Sequence, residues 1–278
     1  MEKYIRKLCL LSLGMLLISG NAADVRAERE ESTEKIQMNE SLPELLIGCD
    51  EYEPYNYLDE NGDIVGIDAD LADEACHRLG YEPVYVIMKW TEKEEFLDNG
   101  VIDCIWDSYS INGREDEYLW TDPYMYSREA VIVNKGSSVS KLTDLNGRNI
   151  ATLVNARSED ILLDETVFPQ ISLKNVYSFQ KMDECLAALR QDYVDAVAGD
   201  IQYLRTYMKN YPGEFQLIPE SLETSRIAVA FSKNADKELV ENLNNVLKEM
   251  KQDGTTDSIL SKYEVSEQSL PGEETDSE

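Results

Sequence analysis

Two hydrophobic rhythms alternate from about residue 43 to 264. Short, nearly continuous apolar runs read as buried strands: Leu45–Cys49, Glu82–Ile87, Val101–Trp106, Ala130–Val133, Asn149–Leu153, Tyr193–Ala198 and Arg226–Phe231. Between them, apolar residues recur at helical spacing. Leu71, Ala72, Ala75, Cys76 and Leu79 form one stripe, with Asp68 as its expected cap and Gly80 as its stop. Met182, Cys185, Leu186 and Leu189 form a second, and Leu239, Val240, Leu243, Val246, Leu247 and Met250 a third. Asn61-Gly62 predicts a hairpin turn, and Thr91 with Glu94 a capping box opening a short helix that stops at Asn99-Gly100. Further helices are expected over 156–163 and 201–209, and a short strand at Val176-Tyr177. Strands alternating with helices predict an α/β protein with parallel-type sheets covered by helices. Two phrases, Gly100-Val-Ile-Asp-Cys-Ile105 and Tyr193-Val-Asp-Ala-Val-Ala198, each follow an amphipathic helix, which suggests two lobes built alike.

The ends read differently. Lys3, Arg6 and Lys7 precede an apolar run from Leu8 to Ile18, the pattern of an export signal over 1–27 with cleavage sites after Ala22, Ala23 or Ala27. The run is shorter than the ~20 residues of a spanning helix. Asn21 follows Ile18-Ser19-Gly20 where a lipoprotein would need cysteine. The expectation is an exported chain, periplasmic or extracellular, without a lipid anchor. An uncleaved signal would instead tether it to the membrane. Residues 28–41 read as a polar linker and 265–278 as a disordered acidic tail.

Charge narrows the function. Taking the four basic and two acidic residues of 1–27 from totals of 26 and 55 leaves 22 against 53, a balance of −31. Nucleic acid, which wants a basic face, is excluded as a partner, and anionic lipid is disfavoured. Cys49, Cys76, Cys104 and Cys185 fit no zinc spacing and read as buried thiols, with a Cys49–Cys104 bridge left open. There is no phosphate loop, H-E-x-x-H or nucleophile elbow, so neither cofactor nor metal is expected. His77, the sole histidine, is read as structural. Asp103 and Asp195 are read as loop or strand-edge residues rather than ligands. The segment Asp107-Ser108-Tyr109-Ser110, with Arg114 beyond it, follows a predicted strand end, where open α/β sheets bind ligands. Arginine beside small hydroxyls there suits a carboxylate clamp, though a surface salt bridge fits the same residues.

Eight phrases in order resemble one family. They are Leu46-Ile-Gly-Cys-Asp-Glu-Tyr-Glu-Pro-Tyr-Asn-Tyr57, Gly62-Asp-Ile-Val-Gly-Ile-Asp-Ala-Asp-Leu71, Ile102-Asp-Cys-Ile105, Gly113-Arg114, Thr121-Asp-Pro-Tyr124, Leu142-Thr-Asp-Leu-Asn-Gly147, Val194-Asp-Ala-Val-Ala-Gly-Asp200 and Lys248-Glu-Met-Lys-Gln-Asp-Gly-Thr255. The chain is similar to the extracytoplasmic solute-binding proteins of amino-acid ABC importers, over roughly 43–264. The resemblance implies a two-lobe type II periplasmic-binding fold that closes like a flytrap. Lobe one would be 42–125 plus 225–264 and lobe two 126–224, with crossing strands near Tyr124–Arg128 and Glu220–Arg226. It implies a monomer that takes an amino acid or similar zwitterion to a membrane permease and catalyses no reaction. A sensor for a membrane receptor, or a dehydratase-like enzyme on the same fold, are the alternatives.

The resemblance also assigns roles. Arg114 matches the arginine for the ligand carboxylate, Ser108 and Ser110 the head-group hydroxyls, and Asp200 the carboxylate for the ammonium. Trp90 and Tyr52 match cleft aromatics but fit a core role as well. Asp200 fits a helix N-cap as well. Asp50 lies near a position that meets cationic side chains. Departures are visible. The Asn112-Gly113-Arg114 turn and the loop at Asp50 are each one residue short, and Val154-Asn-Ala-Arg-Ser158 replaces a Gly-Ser/Thr-Thr helix start. Arg157 there supplies a second cation or points to solvent.

Overall fold

The computed structural model of the chain describes residues 41–164, 166 and 171–265. The readings of 1–27 as a signal, of 28–40 as linker and of the tail beyond 265 lie outside them. In chain order the elements are β1 (Glu44–Cys49), β2 (Tyr57–Leu58), β3 (Ile64–Val65), α1 (Ile67–Leu79), β4 (Glu82–Ile87), α2 (Lys93–Asp98), β5 (Cys104–Ile105), β6 (Leu119–Trp120) and β7 (Met125–Asn134). Then come β8 (Asn149–Leu153), α3 (Arg157–Leu163), β9 (Asn175–Phe179), α4 (Met182–Arg190), β10 (Ala196–Asp200), α5 (Ile201–Asn210), β11 (Phe215–Leu217), β12 (Glu223–Ile227), β13 (Ala230–Phe231), α6 (Lys237–Gln252) and α7 (Thr255–Lys262).

Two sheets organise two lobes. The first has the order β4-β1-β5-β13-β6, the second β11-β7-β10-β8-β9 with β12 also on β7. β1 runs parallel to β4 and β5, and β8 parallel to β9 and β10, so each lobe has a parallel core. Helices cover both faces, as parallel sheets require. In the first lobe the α1 stripe packs with Val240, Leu243, Leu247 and Met250 of α6 against Leu45 and Ile47 of β1. Trp90, Leu97 and Ile102 cover the other face. In the second lobe Cys185, Leu186 and Leu189 lie on one side, and Leu145, Ile150 and Ile161 on the other. Cys49, Cys76, Cys104 and Cys185 are free buried thiols.

Two neighbouring crossings join the sheets. β7 leaves β6 through 121–124, and β12 enters β13 through 228–229. They pair antiparallel from Met125↔Ile227 to Glu129↔Glu223. Thr121 N donates to Val229 O at 3.0 Å, and Tyr124 N to Ile227 O at 3.0 Å, which fixes the crossings to each other.

The hairpin at Asn61-Gly62 and the left-handed Gly80 stop form as the sequence predicts. Several local expectations do not. The helix cap is Gly66 rather than Asp68, because the buried Asp68 carboxylate accepts Ser108 N and the Tyr124 hydroxyl instead. Thr91 and Glu94 form no capping box: a 3-10 turn, Trp90–Glu92, leads into α2 without a side-chain cap. The expected strand 101–106 shrinks to Cys104–Ile105, and Val101 is exposed, since only Cys104 and Ile105 find ladder partners on β1 and β13. His77 is exposed on the outer side of α1, where the core positions fall one residue earlier. Asp103 and Asp195 are strand-edge residues as read: Asp103 accepts Leu46 N at 2.8 Å and Asp195 accepts Asn149 N at 2.8 Å. Among the described residues no helix is long and apolar enough to cross a membrane.

Candidate functional site

The carboxyl ends of β1, β5, β8 and β10 deliver the loops of both lobes to one cleft. Asp50 and Tyr52 follow β1, 107–110 follow β5, 154–158 follow β8, and Asp200 ends β10. An inner cavity of about 60 Å³ lies there. All eight sequence candidates line it: Arg114, Asp200, Ser108, Ser110, Trp90, Tyr52, Asp50 and Arg157. Asp107, Tyr109, Glu129, Met182 and Gly199 complete much of the wall. A larger outer space of about 520 Å³ shares Asp50, Tyr52, Trp90, Leu153 and Met182 with it.

The hydroxyl wall is held from behind. Ser108 adopts a left-handed backbone, φ 48°, uncommon outside glycine. Its N–H donates to Asp68 at 2.6 Å, and Tyr124 donates to the same carboxylate at 2.7 Å. Burial nevertheless pushes Asp68 up to about 7. Ser110 pairs with Ile227 of β12 as an isolated bridge, which ties the loop to a crossing strand. Asp107 accepts Asp50 N at 2.9 Å and Asn56 Nδ2 at 2.9 Å, and burial raises it well above the carboxylate range. Burial also raises Asp50, which lies where inner and outer spaces meet.

Arg114 is buried, and its guanidinium lies 5.2 Å from the Tyr109 ring. Nη2 donates across the cleft to Asp160 of α3 and to the Asn155 carbonyl at 3.3 Å. Trp90 Nε1 donates to that same carbonyl at 3.1 Å. Tyr109 meets the Trp90 ring edge-on at 5.0 Å, and the Lys93 ammonium sits 4.5 Å from the Trp90 centroid. Lys93 is almost fully buried and pairs with Glu94 at 2.7 Å, and burial lowers its pKa. Trp90 thus has both a core environment and a cleft face.

Arg157 takes neither course expected of it alone. It lines the cavity, but its fork closes on Glu223 of β12, with Nε and Nη2 each 2.7 Å from a carboxylate oxygen. Asn112 also donates to Glu223, at 2.9 Å. Gly113, at φ 76°, lies under Arg157: a Cβ there would stand 2.7 Å from Nη1. The short Asn112-Gly113-Arg114 turn is therefore packed against α3 and the crossing strand.

Asp200 is the N-cap of α5. Its carboxylate accepts Gln202 N at 2.8 Å, Tyr203 N at 3.3 Å, the Tyr55 hydroxyl at 3.0 Å and the Ser127 hydroxyl. Burial raises its pKa against these four donors. Tyr55 belongs to the first lobe, so its bond to Asp200 bridges the cleft. Tyr52 bridges too, stacking on Tyr203 of α5 at 4.3 Å.

Sequence reasoning passed over Glu129, Tyr55, Asp160 and Glu223. Glu129 had a signal: Met125, Ser127 and Glu129 alternate on the buried side of β7. Tyr55, Asp160 and Glu223 act through partners 46 to 145 residues away, which no local pattern encodes.

The chain is similar to known proteins in sequence and in fold. The family model of bacterial extracellular solute-binding proteins, family 3, matches residues 45–266. A probable histidine-binding protein of Campylobacter jejuni is 24% identical over 95% of the chain and 100% of its own length. The lysine/arginine/ornithine-binding periplasmic protein of Escherichia coli is 28% identical over 80% of the chain and 88% of its own length. Among solved structures, an ancestral arginine-binding protein bound to arginine superposes with a TM-score of 0.72 at 28% identity, over 80% of the chain and 99% of that protein.

Proposed function

The chain belongs to the bacterial extracellular solute-binding proteins of family 3, and from that premise we propose that it captures an amino acid between its lobes for an ABC importer. The lobes are 42–125 plus 225–264 and 126–224, turning about the paired segments of β7 and β12. The observation that carries the reading is the convergence of Arg114, Asp200, Ser108 and Ser110 on one small cavity between the two sheets. A zwitterion brings both charges into a dry site, and each must be paired there. Arg114, with donors left on its fork, takes the carboxylate. Asp200 takes the ammonium, and Ser108 and Ser110 complete the head-group contacts.

Size supports the same division. The inner cavity, about 60 Å³, is far smaller than the outer space of about 520 Å³, which fits a head group within and a side chain beyond. The side chain then runs past Trp90, Tyr52 and Asp50 into the outer space. Asp50, Glu51, Glu92 and Asp183 line that space against Lys89 and Lys181, a balance that favours a basic side chain. Two relatives bear names for basic amino acids, which points the same way. Ligand bridging Arg114 in one lobe to Asp200 in the other adds to the direct cross-cleft contacts and so favours the closed form. Membership of an extracellular solute-binding family supports work outside the cytoplasm, and in this reading the closed, liganded form is what a permease receives. The mechanism is binding and release without turnover.

A thermal-shift panel of the twenty standard L-amino acids tests this. A ligand at 100 times its Kd stabilises the folded state by about 2.7 kcal/mol. The expected result is a clear shift with one or a few amino acids. No shift with any would overturn the reading.

A further inference from the structure

Glu129 is a buried carboxylate that the head-group scheme above leaves unused. It lies directly across from Asp200 in the β7–β10 ladder, is 6% exposed, and lines the inner cavity. Among the described residues its carboxyl group has one hydrogen bond, from the Ser225 hydroxyl at 3.1 Å. No salt bridge of the described residues reaches it: the fork of Arg157 closes on Glu223, and Arg114 reaches Asp160. Asp200, by contrast, already accepts four hydrogen bonds. An acidic side chain so placed must hold a proton or meet a cation.

We propose that Glu129 is a specificity-determining residue of the cleft, forming with Asp200 a two-carboxylate receptor for the ligand ammonium and releasing a proton when that ammonium binds. The proposal rests on the amino-acid reading. The exchange balances: a proton leaves the Glu129 carboxyl for solvent, the ammonium charge replaces it, and no covalent bond changes. Such a pair selects a head group that carries a fixed positive charge and rejects neutral or anionic ones of the same size.

The surroundings fit this exchange. Asp200 faces Glu129 from β10, Glu223 and Ser225 from β12, Arg114 from the loop after β5, Arg157 from α3 and Tyr52 from the loop after β1. Burial first, then the Asp200 charge, pushes Glu129 up to about 8, while the Ser225 hydrogen bond and Arg114 pull the other way. At pH 7 a group with that value is roughly nine-tenths protonated, so nearly one proton is available to leave.

Calorimetric titration in phosphate and in Tris at pH 7 counts the released protons, because the observed heat varies with buffer ionisation heat. The probe is whichever standard L-amino acid gives the largest thermal shift. The wild-type protein is expected to release roughly 0.5 to 0.9 proton per ligand. Glu129→Gln keeps an acceptor for Ser225, and its melting curve reports folding. It is expected to release close to none and to bind roughly ten- to a hundredfold more weakly. No proton release by wild type, or the same release from Glu129→Gln with the amino acid still bound, overturns the role of Glu129 alone. Absence of binding by wild type overturns the amino-acid reading and this proposal with it.

Discussion

Asp160→Asn offers a test in which removing a charge from the cleft strengthens binding. Arg114 Nη2 donates to the Asp160 carboxylate, in the role proposed for the ligand carboxylate. Two unit charges 4 Å apart at an effective dielectric of 20 attract by about 4 kcal/mol. That figure needs a large discount, since the Asp160 side chain is 42% exposed although that of Arg114 is only 9% exposed. Half-exposed pairs of this kind contribute about 1 kcal/mol at most. Asparagine keeps a carbonyl acceptor for Nη2 but loses the charge. The incoming carboxylate then displaces a neutral partner, and affinity is expected to rise about fivefold, equivalent to ~1 kcal/mol. Calorimetric titration at low salt measures it, and repeating at 0.5 M salt should shrink the difference because exposed charges are screened. Weaker binding by Asp160→Asn, or affinity within twofold of wild type, would refute competition. Asp160 would then be a residue that orients Arg114.

Other consequences are as specific. Arg114→Ala should weaken amino-acid binding by roughly 3–5 kcal/mol, because the ligand carboxylate would stay buried and unpaired; unchanged affinity removes Arg114 from the site. Gly66→Ala should destabilise the fold by roughly 3 kcal/mol or more. Its backbone has φ 135°, and a Cβ would stand 2.1 Å from the Tyr55 carbonyl oxygen, so a loss under 1 kcal/mol in urea denaturation would contradict the packing. Stability of the unliganded protein should fall as pH rises. Glu129 and Asp68 have folded values of about 8 and about 7, above the ordinary 4.5 and 3.8. Their contribution is complete below the ordinary values and is lost as pH climbs through the folded ones, a change of a few kcal/mol. Urea midpoints at pH 5, 7 and 8.5 should decline in that order, and a rise would contradict it.

What the sequence made legible follows the range of each interaction. The α1 and α6 stripes, the Asn61-Gly62 turn and the Gly80 stop depend on neighbours within a few residues, and they form where the pattern puts them. Asp68 and Thr91 show the limit. Asp68 is a good local cap, but Ser108 and Tyr124 claim its carboxylate, and Gly66 caps instead. The segment 101–106 has strand composition, yet ladder partners exist only for two of its residues. The eight cleft residues were reachable because strand ends and family phrases mark them. Their partners were not. Arg157 looked like a cation for ligand or solvent until Glu223, 66 residues on, took its fork. Glu129 was visible only to anyone who counted Met125, Ser127 and Glu129 as one inward face before knowing where β7 begins.

The central claim is that one amino-acid head group bridges Arg114 and Asp200. The most direct measurement compares the Kd of the preferred amino acid with those of its methyl ester and its N-acetyl derivative. The ester removes the charge offered to Arg114, and acetylation removes the one offered to Asp200. Each change leaves a buried charge unpaired, so each should weaken binding by roughly 2–5 kcal/mol, a factor of about thirty or more. Derivatives that bind as tightly as the parent would contradict the account.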